Sequence, residues 1–236
     1  MSEGNRAPWL AAIGGGIIGA VLTAGALALA GPSLFGERLV REALMAQPEM
    51  LMDAGQALRD KQFAKTLEPI RASVERPFFS SWKGAEKPQV TLTYFFDYAC
   101  GYCRQSNPDI NRLLAENKDL RVVYRELPIL GPESVAAARV SLAASKAGKF
   151  AQFHDSLYSA GRPGPDTIAM AARAAGVPAE PAADPAQEAE LRANMSLAQQ
   201  LGATGTPLFI VGDRVINAAV GYQGLKEAVE AARQRS

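Results

Sequence analysis

The sequence predicts an α/β domain interrupted by an all-helical insert, with an N-terminal membrane segment and a helical stalk ahead of it. Three observations carry that prediction. The apolar, β-rich run at residues 90–96 leads directly into Cys100-Gly101-Tyr102-Cys103, and the stretch after it reads as a helix. A second strand pattern follows at 120–124; the chain then turns helical for roughly seventy residues and closes with a hairpin and a final helix. Between Pro8 and Ala30 no residue is charged.

In chain order, residues 1–33 come first. Their uncharged run of about 22 residues is long enough to cross a bilayer core. It reads as a transmembrane anchor, or as a signal segment cleaved after Ala28-Leu29-Ala30. Residues 34–78 form the expected stalk. Leu44, Leu51 and Leu58 recur at heptad spacing, and Gln47-Pro48-Glu49 breaks the pattern into a helix ending near Ala46 and another running to about Val74. That narrow apolar stripe suits packing on the chain's own domain or on copies of itself, which would make a homo-oligomer through residues 34–78. The domain proper is residues 79–236. It starts with a loop at 80–88, and its helical insert spans about 129–202. Asp184-Pro185-Ala186-Gln187 opens the last insert helix with a cap and an N1 proline. The hairpin turns at Gly212-Asp213.

The charge balance, 25 Lys+Arg against 24 Asp+Glu over 236 residues, gives no footprint for nucleic acid. The chemistry concentrates in its two cysteines. On a helix, Cys100 and Cys103 share a face with Cα atoms ~5–6 Å apart, within disulfide range. Cys100 would sit at the helix N-terminus, where free N–H groups favour a thiolate, the attacking species. Cys103 would lie behind it as the resolving thiol. Arg104 would add a nearby positive charge, Tyr98 and Tyr102 apolar cover, and Gly101 an open approach. A purely structural bridge and a metal site remain as alternatives. With His154 as the single histidine, one chain cannot supply four Cys/His ligands to a closed zinc site. Nothing calls for a cofactor or a metal. Glu126 reads as a surface or interface residue, and His154 as a packed or half-exposed helix residue. Pro207 in Gly205-Thr206-Pro207 starts a strand, and local sequence leaves its isomer open.

The runs Phe95-Phe96-Asp97-Tyr98-Ala99-Cys100-Gly101-Tyr102-Cys103, Leu127-Pro128-Ile129-Leu130-Gly131, Phe153-His154 and Gly205-Thr206-Pro207-Leu208-Phe209 resemble the DsbA family of thioredoxin-fold oxidoreductases, over residues 90–232. The stalk, together with Gly-Tyr between the cysteines, looks like the Com1/ScsC-like branch. The resemblance implies a thioredoxin fold and a cis Thr206–Pro207 bond beside Cys100, with the Thr206 backbone pairing to a substrate segment. It also implies cysteine-containing protein substrates and a membrane redox partner that recharges the pair. The implied location is the periplasmic side of a bacterial inner membrane, tethered or, if cleaved, soluble.

Two departures from the family matter. Gly101-Tyr102 stands where the strongly oxidising type carries Pro-His, so a Cys100 pKa lowered less and a lean toward isomerase or reductase are expected, with a dithiol oxidase as the alternative. Tyr94 stands where many members carry a buried Glu, and Asp97 is the candidate substitute or else a helix or turn cap. A tethered holdase or assembly module with a static disulfide is the competing class.

Overall fold

The computed structural model describes residues 36–235. The expected anchor or signal segment at 1–33 lies outside the described residues. Among the described residues no helix is long and apolar enough to cross a membrane.

The described residues divide into two compact units, with the boundary between Ala57 and Leu58. Helices α1 (Gly36–Ala46) and α2 (Glu49–Leu67) flank the break at Gln47-Pro48. The second helix does not run on to Val74 as the sequence pattern implied. It stops at Leu67, and a short α3 (Arg71–Glu75) follows.

Then come β1 (Trp82–Gly84), β2 (Val90–Phe96), α4 (Gly101–Glu116) and β3 (Leu120–Glu126). After them stand α5 (Pro132–Lys146), α6 (Phe150–Ala160), α7 (Pro165–Ala175), α8 (Pro185–Gln200), β4 (Leu208–Val211), β5 (Arg214–Ile216) and α9 (Gly221–Arg235). The five strands form one sheet in the order β1-β3-β2-β4-β5. β2 and β3 run parallel, with Val90 against Leu120 and Phe96 against Glu126, and the other pairings are antiparallel.

β1 lies where a loop was expected. Its three residues carry no apolar alternation, and it is made by pairing with β3. Gly84 ends it at φ +101, where an added Cβ would stand 2.2 Å from the Leu120 carbonyl oxygen, so only glycine fits there. The β4–β5 hairpin turns at Gly212 and Asp213, as the sequence implied, with Gly212 at φ +57.

Strand alternation sorts the core into two clusters. One sheet face carries Leu92, Tyr94, Phe96, Phe209 and Val211, packed on α4, α5, α6, α7 and α9. The other carries Phe95, Leu208 and Ile210, packed on Leu67, Val74 and Leu197. So α8, expected within the insert, joins the ends of α2 and α3 on the opposite face from the other insert helices. Its apolar stripe is short, and only the second sheet face leaves that stripe something to cover.

Candidate active site

β2 feeds the site. Its last residue, Phe96, precedes a turn in which Cys100 N donates to Asp97 O at 3.1 Å. The turn ends in α4, and Cys100 is the N-cap of that helix. The Cys103 amide donates to Cys100 Sγ at 3.3 Å, so one of the free N–H groups of the first helical turn is aimed at the sulfur. Both cysteines are free thiols. Cys100 keeps 6% of its surface exposed and Cys103 none. The two sulfurs therefore lie one turn apart on one helix, the outer reachable and the inner covered.

From the far end of the domain, the Thr206–Pro207 loop closes over this helix start. The peptide bond is cis, and the Cys100 thiol donates to Thr206 O at 3.2 Å. A carbonyl facing sulfur favours the thiol, and amide donors favour the thiolate. The donors win: Cys100 is lowered to about 5, chiefly by the hydrogen bond from the Cys103 thiol and then by the Thr206 side chain and the Cys103 and Tyr102 amides, against the opposing effect of burial. Burial, first, and the same Cys100 contact push Cys103 far above the usual thiol range. One helix thus holds a thiolate and a reluctant thiol. Tyr102 is exposed, and a groove of about 370 Å³ runs beside it along Gly205, Thr206, Pro207 and Asn217. An added Cβ at Gly101 would meet nothing within 4 Å, so glycine there leaves Cys100 open rather than relieving a clash.

Other residues singled out in the sequence are placed as follows. Asp97 is buried, and its carboxylate accepts from Ala99 N (2.8 Å), Ser134 Oγ (2.6 Å), Ile129 N (2.8 Å) and Leu130 N (2.9 Å). It caps the turn before Cys100 and pins the loop after β3. Tyr94 donates its hydroxyl to Cys103 O at 3.2 Å and stacks on Phe209. Arg104 does not serve as a charge beside Cys100: its guanidinium donates to the carbonyls of Tyr158 and Gly161 and docks α6 onto α4.

Glu126 corrects the expectation of a surface residue. It is the last residue of β3, 1% exposed, and Ser141 Oγ donates to its Oε1 at 2.7 Å. His154 is packed, 1% exposed, with Nδ1 3.4 Å from the Tyr98 hydroxyl. Sequence reasoning missed Ser134 and Ser141, because a serine in a helix announces nothing until a buried partner faces it. Among the described residues no group of three or more His, Cys, Asp and Glu side chains converges as a metal site.

The model of the DSBA-like thioredoxin domain family matches residues 91–230. Among solved structures, a thioredoxin-like oxidoreductase from Silicibacter pomeroyi is 35% identical with a TM-score of 0.63, covering 70% of this chain and 99% of that one. A periplasmic thioredoxin-like protein from Salmonella enterica serovar Typhimurium is 31% identical at TM-score 0.65, covering 70% and 96%. ScsC of Proteus mirabilis, in a transitional conformation, is 26% identical at TM-score 0.68, covering 85% and 94%. Among curated proteins, the Na(+)/H(+) antiporters NhaA 3 of Salinispora tropica and NhaA 1 of Salinispora arenicola are 33% identical over 79 residues. That segment is 33% of this chain, and the chain spans 12% of the length of those relatives.

Proposed function

The chain belongs to the DsbA-like thioredoxin domain family of thiol–disulfide oxidoreductases, and from that premise we propose that it exchanges disulfides with protein cysteines in a periplasm through Cys100 and Cys103, as an isomerase or reductase. The observation that carries this is Cys100 at the cap of α4, with an amide on its sulfur and Cys103 covered one turn behind. In the reduced pair, the Cys100 thiolate attacks a substrate disulfide. The substrate S–S bond breaks, a mixed disulfide forms, and the expelled substrate thiolate takes up a proton. The Cys103 thiol, once it has lost its proton, attacks Cys100 Sγ and frees the second substrate thiol, leaving the Cys100–Cys103 bridge; that is reduction. If the freed substrate thiolate attacks first, the substrate is isomerised and the pair stays reduced.

A Cys100 value of about 5 lies between about 7 for thioredoxin and about 3.5 for the strongly oxidising DsbA. Thiolate stabilisation favours the reduced form, which the isomerase reading needs. The same stabilisation also makes the bridge an oxidant, and this favours dithiol oxidase as the second reading. The proposal includes Thr206 and Pro207 as the surface on which substrate lies, with Asp97, Gly101 and Tyr102 in support. It also includes the Com1/ScsC-like branch, an anchor within 1–33, assembly through residues 34–78 ahead of a domain at 79–236, and recharging by a membrane redox partner.

Replacing Cys103 by Ala tests the core of it. The variant should accumulate mixed disulfides at Cys100 with other proteins, visible as reductant-sensitive adducts. A static bridge would give none. Equilibration with glutathione then separates the readings: a potential as high as that of strong oxidants would overturn the isomerase assignment.

A further inference from the structure

β3 ends in a buried acid that the exchange chemistry above does not use. Phe96 and Glu126 are register partners, so alternation puts Glu126 on the sheet face of Leu120, Val122 and Tyr124, the face that also carries Cys100 and Cys103. Oε1 accepts from Ser141 Oγ at 2.7 Å, whereas Oε2 is buried and has no hydrogen-bond partner. Ser141 Oγ lies 2.8 Å from the Tyr98 hydroxyl, and that hydroxyl 3.4 Å from His154 Nδ1. A hydrogen-bonded chain Glu126–Ser141–Tyr98–His154 therefore joins β3, α5, the turn before Cys100 and α6. At the next residue back in that turn, Asp97 O accepts from both Cys100 N and the Tyr158 hydroxyl. A carboxyl with a structural role alone would pair both oxygens, because an orphaned buried oxygen destabilises the fold.

The geometry points to Glu126 as a positioning residue of the redox pair: it holds a proton at the end of the buried chain through Tyr98 and exchanges that proton in step with reduction of the Cys100–Cys103 bridge. This rests on the thiol–disulfide reading. Reduction of the bridge by an added dithiol moves two electrons onto the two sulfurs. The dithiol becomes a disulfide and gives up two protons: one goes to Cys103, Cys100 is left as thiolate, and the other goes to Glu126 where that carboxyl is ionised and otherwise to solvent. The new negative charge shares an apolar sheet face with Glu126, and like charges disfavour one another. Glu126 therefore binds its proton more tightly in the reduced protein.

The groups around Glu126 agree. Burial, above all, raises it to about 8; Glu190 of α8 raises it further, while Ser141 of α5 and Arg125 on its own strand lower it. From α6, His154 is held neutral by burial and by Lys83, so the chain brings no cation to the carboxylate. Tyr98 is kept protonated by burial and by Glu126 itself.

The test is the midpoint potential of the full chain in dithiothreitol redox buffers, from about pH 6 to about pH 9, for the native protein and Glu126→Gln. In the native protein the slope of potential against pH should steepen roughly twofold just below about pH 8, where two protons accompany two electrons instead of one. Glu126→Gln should keep the single-proton slope throughout. Parallel curves for the two proteins, or one unbroken slope in the native protein, would overturn the inference. Failure of the pair to equilibrate with the dithiol would sink the thiol–disulfide reading itself. Should Glu126→Gln not fold, the infrared difference spectrum between reduced and oxidised native protein decides: a protonated-carboxyl band changing near pH 8 supports the inference, and no such band refutes it.

Discussion

Arg125 and Glu126 are neighbours on one strand, both buried, and the two sheet faces treat them in opposite ways. On the face away from the cysteines, Arg125 donates to Glu190 Oε1 (2.9 Å), Asn194 Oδ1 (2.6 Å), Val74 O (3.0 Å), Arg76 O (2.7 Å) and Ser73 O. Its charge is matched and its donors are used, so it acts as a clamp on the end of α3 and on α8. On the redox face, the Glu126 carboxylate has one hydrogen bond and an orphaned oxygen. Full pairing makes a buried charge a fixed part of the architecture; partial pairing leaves it free to change state. Asn194 spans the divide, since its Nδ2 donates to Glu126 O.

The largest effect that could break this contrast is loss of the clamp. Arg125→Ala should cost about 3–5 kcal/mol, because it strands the Glu190 carboxylate and several carbonyls; urea denaturation reads it. A loss below ~1 kcal/mol would mean that the two faces do not differ as described.

Next comes the pH dependence of stability. Glu126 is raised from an ordinary 4.5 to about 8 in the folded protein. A raised value means that the folded state binds the proton more tightly. Its stabilisation is therefore complete below about 4.5 and is lost as pH climbs through about 8, at about 1.4 kcal/mol per unit. Between pH ~5 and ~8, Glu126→Gln should lose on the order of 3 kcal/mol less stability than the native chain; identical curves from denaturation across that range would remove the distinction.

A third experiment sharpens the contrast with a fully paired acid on the redox face. Asp97→Ala should cost about 2 kcal/mol by stranding the four donors that its carboxylate accepts from, read by urea denaturation. A loss below ~0.5 kcal/mol would mean that full pairing does not make this acid part of the architecture.

The smallest expected effect is the most discriminating. Alkylation of Cys100 should rise with pH about a midpoint near 5 in the native protein. Glu126→Gln should leave that midpoint in place, since Glu126 is still protonated there and glutamine mimics the protonated form. A midpoint moved by a full unit would mean that Glu126 acts on the thiol directly.

How legible each of these residues was in the sequence follows from the range of its partners. The Cys100–Cys103 pair, its helix and the strand before it were readable because every contact that defines them is local: a strand, a cap and one helical turn. The β4–β5 hairpin was readable for the same reason. Arg125 and Glu126 were not. They follow the apolar run of β3 and look like its polar exit, and what buries them comes from 15 to 69 residues along the chain. β1 and the placement of α8 failed for the same cause, since neither segment carries enough pattern of its own and each is set by a surface that another part of the chain offers.

By itself, then, the sequence determined where the two sulfurs sit relative to each other, because helix periodicity and capping act over a few residues. Tertiary structure alone decided what surrounds them: the Thr206 carbonyl over Cys100, the insert that takes up Arg104, and the half-paired acid on the same sheet face. Burial and charge are properties of the packed interior, and no stretch of chain carries them until distant elements have closed around it.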